Sequence, residues 1–306
     1  MREARVAFVA ATVGSALWGL SGVAAQVVVQ DFVFPVWGLT MVRMLGAAGL
    51  LLLVERPRGG RPWTGSFASL AIVGLVGCQV TYLEALFYSN VTTATLLAFL
   101  YLPMVAGYEL ASGTISRSWR WAGMLGLAIV GTILLIGTLS PGGFSILITP
   151  LGLLFGLLAA VTGAYYTLAA RRFVQRETSW WVTTWGFLIG GLATIPLGVY
   201  SFVGYRWPTS LPSVALLTGL ILVVVVAGTL LAFALFVFGL RRLAATEAGV
   251  AGSFEPISAA VAGLLILGVA LSPLQYAGGA LIVLAVAWLG ASVNSRTEPE
   301  RRVPPP

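Results

Sequence analysis

The chain lacks histidine and lysine and has one cysteine, Cys78, and one aspartate, Asp31. These shortages exclude Cys/His zinc sites, disulfides within the chain and histidine-based catalysis. A single aspartate also excludes the aspartate clusters that hold magnesium in polyprenyl-diphosphate enzymes. Neither a Gly-rich nucleotide loop nor a nucleophile elbow is present. We therefore expect a protein that is not an enzyme and that uses no cofactor and no metal.

Charge is also scarce, since 9% of the residues are charged and 58% are hydrophobic. Apolar runs of about 20 residues, long enough to cross ~30 Å of hydrocarbon, recur along the chain. They do not alternate apolar and polar residues as membrane strands do. We predict an all-α polytopic membrane protein with ten transmembrane helices. The predicted spans, numbered 1 to 10, are Val6–Val29, Phe34–Val54, Phe67–Tyr88, Val91–Ser112, Trp119–Leu139, Leu151–Phe173, Trp180–Phe202, Ser213–Leu240, Thr246–Leu271 and Leu274–Val293.

The 17 basic residues, all arginines, indicate the orientation. With a cytoplasmic amino terminus, every arginine except Arg206 and the intramembrane Arg43 falls on the cytoplasmic side, as the positive-inside rule requires. Span 1 is too long for a cleavable signal sequence. Both termini are therefore expected in the cytoplasm. Because the arginines cluster in short loops, the formal charge of +7 indicates topology and not a nucleic-acid partner.

One pattern appears twice in the chain. Apolar segments with small and hydroxyl residues at the start and one internal proline occur around Pro103 and Pro256. Repeated interruptions at matching positions are the best sequence pointer to a transporter's substrate site. Because five spans are an odd number, the two halves must be inverted. We predict a first repeat at 1–144, a second, inverted repeat at 145–295 and a disordered tail at 296–306, with Pro103 and Pro256 as hinges.

Polar and aromatic residues lie too deep in several spans to belong to the interfacial belt. Deep Tyr and Trp side chains need hydrogen-bond partners, which a water-filled cavity would supply. Glu255, directly before Pro256, is equally open to substrate binding and to a structural pairing with Arg43; for Arg43 and Glu84 structural roles are favoured. The predicted substrate-binding residues are Trp18, Gln79, Tyr82, Phe99, Tyr101, Thr162, Tyr165, Tyr166 and Glu255.

These features resemble a known family. The run Phe254-Glu255-Pro256, the Thr/Ala-rich start of span 4 with Pro103, and Arg43 in span 2 look like the drug/metabolite transporter superfamily in its EamA-type ten-helix form. The resemblance covers essentially the whole chain, and within the superfamily the chain is most similar to YddG-type exporters of amino acids and aromatic compounds. It implies ten helices around a central cavity that spans 1, 3, 4, 6, 8 and 9 line, with spans 2, 5, 7 and 10 outside.

The expected function follows from the resemblance and the aromatic, nearly uncharged wall. We expect an inner-membrane secondary transporter that exports small neutral or zwitterionic metabolites, amino acids including aromatic ones, by alternating access. Its partners are then a small-molecule substrate and the lipid bilayer, and the oligomeric state stays open, a monomer included.

The alternative is an uncoupled facilitator or channel. The Leu-Gly-Glu-Arg run with which the family commonly ends spans 4 and 9 is replaced here by Ala111–Ile115 and Leu267–Leu271, which carry no charge.

The topology can be tested by cysteine labelling. After Cys78→Ala, we expect Ser145→Cys to react with a membrane-impermeant maleimide added outside the cell. The matched variant Gln175→Cys should react only after permeabilisation, because the positive-inside pattern places it in the cytoplasm. Labelling of Ser145→Cys from the cytoplasmic side alone contradicts the inverted repeat.

Overall fold

The computed structural model describes residues 2–113, 123, 126–127, 130–131, 133–134, 137–140, 143–146, 148–243, 245–252 and 254–284. Helices dominate this part of the chain, and seven are long and apolar enough to cross a membrane. These seven are Arg5–Asp31, Val36–Val54, Gly65–Phe87, Val91–Ala111, Pro150–Val174, Ser179–Tyr200 and Leu211–Leu240. They correspond to predicted spans 1 to 4 and 6 to 8, and they confirm a polytopic membrane protein.

The remaining predicted spans are shorter or lie partly outside the description. Span 9 consists of the helices Ala245–Ala251 and Phe254–Leu267. Span 10 is described as the helix Pro273–Leu284. Span 5 and the predicted tail fall largely or wholly outside the described residues. The number of ten spans and their inverted arrangement therefore stay predictions.

A short β-hairpin accompanies the helices. The strands Gly137–Ser140 and Gly143–Ile146 pair antiparallel, with Gly137 opposite Ile146 and Ser140 opposite Gly143. Glycines open both strands, and their other members include Thr138, Phe144 and Ile146, residue types that favour strands. The hairpin occupies the region where the sequence predicts the end of span 5 and the connection between the two repeats.

Most described spans begin at a side-chain cap. The capping oxygen accepts a hydrogen bond from the backbone N–H three residues later, which satisfies one of the free donors of the first turn. The capping residues are Thr64, Asn90, Thr149, Thr178 and Ser210, with N···O distances of 2.9 to 3.3 Å. Span starts are thus fixed locally by residue type.

Glycines allow close contact between spans. A Cβ added at Gly156 would lie 2.7 Å from Leu97 Cδ1, and one at Gly14 would lie 2.6 Å from the Ala232 carbonyl oxygen. Gly19 on span 1 packs against the backbone of Glu255 and the side chain of Ser258 on span 9. Association through small residues is expected where lipid removes the hydrophobic drive for helices to pack together.

Spans 4 and 9 are interrupted at equivalent places. Span 4 is divided into the helices Val91–Ala98 and Tyr101–Ala111. The second helix begins at Tyr101 in span 4 and at Phe254 in span 9. Pro103 and Pro256 are therefore each the third residue of that helix. The N–H groups in the first turn of a helix have no acceptor within that helix. A proline at such a position therefore removes no hydrogen bond from it. Each proline therefore begins a half-helix rather than bending a continuous one.

The backbone bonds at the two breaks are also equivalent. The Leu102 N–H donates to the Phe99 carbonyl at 3.2 Å, and the Glu255 N–H donates to the Gly252 carbonyl at 2.9 Å. In a continuous helix these two carbonyls would accept from the positions that proline occupies. A tighter turn therefore satisfies both carbonyls, and neither proline leaves one free.

Spans 3 and 8 both contain a π-helical segment, Leu70–Val76 and Val226–Leu231. The two segments overlap when the halves are aligned on Pro103 and Pro256. π-Helical turns are uncommon and occur frequently at functional sites. Two irregular features thus recur at matching places. Span 1 also ends in a π-helical segment, Val27–Asp31, which span 6 does not repeat, and the inverted repeat stays a prediction.

Whether the breaks are hinges can be tested with Pro103→Ala and Pro256→Ala. Each variant restores an N–H that can donate to the carbonyl four residues earlier, so the half-helices should fuse and stiffen. If the halves are inverted and each break serves one face, the two variants should shift the inward/outward balance in opposite directions. Distances between spin-label pairs across the two mouths measure this balance. Equal-sign shifts, or none, would leave the prolines as static architecture.

Candidate functional site

A central cavity lies between spans 1, 2, 3, 4, 6, 8 and 9. Its volume is about 80 Å³. Small-molecule sites generally have about 300 to 1,000 Å³, so this cavity is narrow. Its lining residues are Trp18, Ser21, Gly22, Ala25, Arg43, Cys78, Gln79, Tyr82, Ala98, Phe99, Tyr101, Ala159, Gly163, Tyr166, Thr167, Val224, Phe233, Phe236 and Glu255.

Aromatic rings form much of this wall. The Trp18 ring packs edge-on to Phe233 with centroids 4.7 Å apart and tilted on Phe236 at 4.9 Å. The Tyr166 ring meets Phe233 at 5.7 Å. Such contacts hold large rings in fixed orientations. The wall is therefore a rigid apolar surface from which few polar groups emerge.

Both helix breaks lie at the cavity. Ala98, Phe99 and Tyr101 flank the break in span 4, and Glu255 stands in the first turn after the break in span 9. A carboxylate in the first turn of a helix is favoured by the free N–H groups and by the helix dipole. Within the described residues, no hydrogen bond or ion pair engages the Glu255 carboxyl group. Its oxygens are available to a ligand.

Arg43 reaches the cavity from span 2, which the resemblance placed outside. Its side chain is 4% exposed. Its Nε donates to the Thr229 hydroxyl at 2.8 Å, and Nη2 donates to the Gly228 carbonyl at 3.4 Å. Thr229 in turn donates to the Val224 carbonyl, five residues earlier, at 2.8 Å. The π-helical segment of span 8 thus supplies the acceptors that hold the guanidinium.

Seven of the nine predicted binding residues line the cavity: Trp18, Gln79, Tyr82, Phe99, Tyr101, Tyr166 and Glu255. Thr162 and Tyr165 are not on this wall. The Thr162 hydroxyl donates to the Leu158 carbonyl at 2.8 Å, and the Tyr165 hydroxyl lies 2.6 Å from Ser69 Oγ on span 3. A helix turns about 100° per residue, so the neighbour of a wall residue usually faces elsewhere.

Sequence reasoning left several wall residues out of the predicted site. Ala159, Gly163 and Thr167 form an i, i+4, i+7, i+8 stripe on span 6 with the predicted Tyr166, so helical periodicity could have added them and excluded Tyr165. Arg43 carried a signal as an ionisable residue within a span. No sequence signal marked Phe233 and Phe236 as wall residues, because span 8 is apolar on all sides and no face of it stands out.

The fold and the cavity define a polytopic helical membrane protein with a central cavity. Residues 150–291 match the model of the EamA-like transporter family. The chain is 29% identical over 293 residues to the uncharacterized inner membrane transporter YicL of Salmonella typhimurium strain LT2, covering 93% of this chain and 94% of that one. It is 24% identical over 288 residues to the uncharacterized transporter YwfM of Bacillus subtilis strain 168, covering 92% and 93%.

A solved structure named only as "Crystal structure of protein" shares the fold, with a TM-score of 0.66 over 95% of this chain and 98% of that one, at 23% identity. The second half of the chain is thus similar to the EamA-like transporter family, and both relatives are named as transporters. They do not address the YddG-type specificity, which stays a prediction.

Adjacent tyrosines on span 6 provide a matched test of the wall. Tyr166 is 6% exposed and packs on Phe233, whereas Tyr165 is 37% exposed and bonds outside the cavity. We expect Tyr166→Ala to lower transport by about tenfold through lost ring contacts with the substrate. Tyr165→Ala should keep near-normal rates. Melting temperatures of both purified variants control for folding, and equal rates in folded variants would remove Tyr166 from the site.

Proposed function

We propose that this transporter exports small zwitterionic metabolites with an apolar side chain, amino acids including aromatic ones, across the cell inner membrane by alternating access. The observation that carries the proposal is the composition of one cavity wall. It combines aromatic rings with one acidic and one basic side chain, Glu255 and Arg43. An apolar substrate part can pack on the rings while two opposite charges face the two ionisable groups.

The arrangement of these two groups favours a zwitterion over a phosphorylated substrate. Among the lining residues of the described cavity, Arg43 is the single cation. Phosphate recognition generally uses several donors of positive charge. A dianionic phosphate would also face Glu255. A carboxylate with a nearby ammonium group meets neither difficulty.

Alternating access is supported by the broken spans and by a polar contact at one end of span 4. Arg172 Nη2 on span 6 donates to the Tyr108 hydroxyl at 2.6 Å, and Arg171 Nη1 lies 3.6 Å from Glu109 Oε1. The proposed orientation places these contacts at the cytoplasmic face. The Tyr108–Arg172 contact is exposed and can exchange its partners for water, whereas Glu109 is buried at 4% exposure, so opening the second contact costs more. A gate at this end would open by separating both contacts.

The uncoupled facilitator remains the second candidate, favoured by one observation. Ala111–Ile115 and Leu267–Leu271 lack the charged residues that the family commonly places there. A transporter with no coupling group in these positions would equilibrate its substrate rather than concentrate it.

Counterflow in proteoliposomes tests this function. Vesicles loaded with unlabelled L-phenylalanine should accumulate labelled L-phenylalanine transiently, because a carrier exchanges one substrate for another and a channel does not. Repeating the assay with an imposed proton gradient separates a coupled carrier from a facilitator. Absence of counterflow for every amino acid in a panel of aromatic, aliphatic and polar members would overturn the proposed substrate class.

Cys78 offers an independent binding assay without any substitution. It is the only cysteine of the chain, and its side chain lines the cavity. A bound substrate should slow its alkylation by N-ethylmaleimide. Protection by the transported amino acids, and none by amino acids that are not transported, would link binding in this cavity to transport.

A further inference from the structure

Two hydrogen-bond donors without partners belong to residues that line the cavity. Trp18 Nε1 and Gln79 Nε2 are buried and make no hydrogen bond within the described structure. Gln79 is 4% exposed, and both residues line the same cavity as Arg43. A buried donor without an acceptor is costly, and native structures rarely retain one without a reason. An acceptor supplied by a ligand is such a reason.

The Arg43 guanidinium has donors to spare. It carries five N–H groups, and its contacts with Thr229 and Gly228 use Nε and Nη2. No ion pair joins it to a carboxylate within the described residues, although Glu255 lines the same cavity. A cation buried in a membrane protein is expected to have a counter-charge. The acceptors that Arg43 contacts, Thr229 and Gly228, are neutral, so a ligand can bring the counter-charge.

The guanidinium is held in place before a ligand arrives. Thr229 and Gly228, which belong to the π-helical segment of span 8, accept its hydrogen bonds. The Gln79 and Trp18 nitrogens are covered in the empty cavity and reach a ligand only after a local rearrangement. A half turn of the Gln79 amide exchanges its nitrogen with its oxygen, and the Trp18 ring would have to shift against Phe233 and Phe236. A ligand therefore finds one oriented donor group, and the other two adjust to it.

We propose that Arg43, Gln79 and Trp18 form a carboxylate-binding subsite of the central cavity. Arg43 provides the charge-assisted hydrogen bonds, which suit the planar geometry of a carboxylate. Gln79 and Trp18 donate to its remaining lone pairs. The proposal rests on the proposed function and extends it by assigning the two ends of the substrate: the carboxylate lies at the donors, and the ammonium group lies toward Glu255.

The test uses Cys78 protection with three probes that share a benzyl group. L-Phenylalanine carries both charges, phenylacetate carries only the carboxylate, and phenethylamine carries only the ammonium group. Half-protection concentrations are measured for the wild-type chain, Arg43→Gln, Gln79→Leu and a matched control, Arg206→Gln. The control removes the same charge from an exposed loop residue.

For Arg43→Gln we expect the half-protection concentrations of L-phenylalanine and phenylacetate to rise by about 10- to 100-fold, the usual worth of a hydrogen bond to a charged group. Phenethylamine should change by less than about threefold, since it makes no bond to Arg43. Gln79→Leu should show the same selectivity with a smaller effect, and Arg206→Gln should show none.

Loss of Arg43 also removes the contacts with span 8, so folding needs its own check. Thr229→Val removes one of those contacts and keeps the guanidinium. We expect the Thr229→Val variant to keep its preference for probes with a carboxylate and the Arg43→Gln variant to lose it. That result would show that the loss comes from the missing charge and not from altered packing. Equal losses for all three probes in Arg43→Gln, or an unchanged preference, overturn the subsite.

The outcomes for the subsite and for the proposed function are distinguishable. Protection by phenylacetate that depends on Arg43, together with no protection by L-phenylalanine, would support the subsite and contradict the zwitterionic substrate. Protection by L-phenylalanine that is unaffected by Arg43→Gln would support the zwitterionic substrate and contradict the subsite. No protection by any of the three probes in the wild-type chain would contradict both.

Discussion

Backbone hydrogen bonding in a medium without water is the constraint on which this structure depends. In hydrocarbon each free N–H or C=O group costs several kcal/mol, about what a lost hydrogen bond costs in an apolar solvent, so irregular backbone is tolerated only where it is buried in protein or lines a cavity. The breaks in spans 4 and 9 meet this condition in two ways. Their Phe99 and Gly252 carbonyls are satisfied by tight turns, and the residues beside them line the cavity. The site therefore lies where the chain can depart from a helix.

Close packing holds both half-helices that follow the breaks, and polar contacts add to it in span 4. The span 9 half-helix packs against Gly19 of span 1, and its Ser258 hydroxyl donates to the Ala16 carbonyl at 3.1 Å. The span 4 half-helix buries Leu102 against Gly249 of span 9. It also contacts span 6 through Tyr108 with Arg172 and through Glu109 with Arg171. Because Tyr108 is exposed and Glu109 is buried, the first of these contacts can exchange its partner for water more readily than the second.

The sequence predicted the class of protein and the interrupted spans better than the details of the wall. Hydropathy sufficed for the spans because length and apolarity are enough to cross a bilayer. Pro103 and Pro256 marked the breaks, but the closing turn depends on which carbonyls find partners, which composition does not show. Tyr165 and Tyr166 look alike in the sequence, and only the rotation of span 6 separates them. Arg43 was assigned to a peripheral span, because no pattern shows that its acceptors come from span 8.

Keeping Arg43 and Glu255 apart is what makes the cavity selective under the proposed function. An ion pair between them would neutralise both groups and leave the cavity without a free charge. Instead Arg43 is anchored to Thr229 on span 8, and Glu255 begins a half-helix of span 9. A ligand with one charge would satisfy one of these groups and desolvate the other, which is unfavourable in a narrow site. A zwitterion satisfies both at once. Because it bridges two spans, its binding also favours the arrangement in which the two groups stand one substrate length apart, and a ligand can shift a conformational equilibrium only through such a difference in affinity.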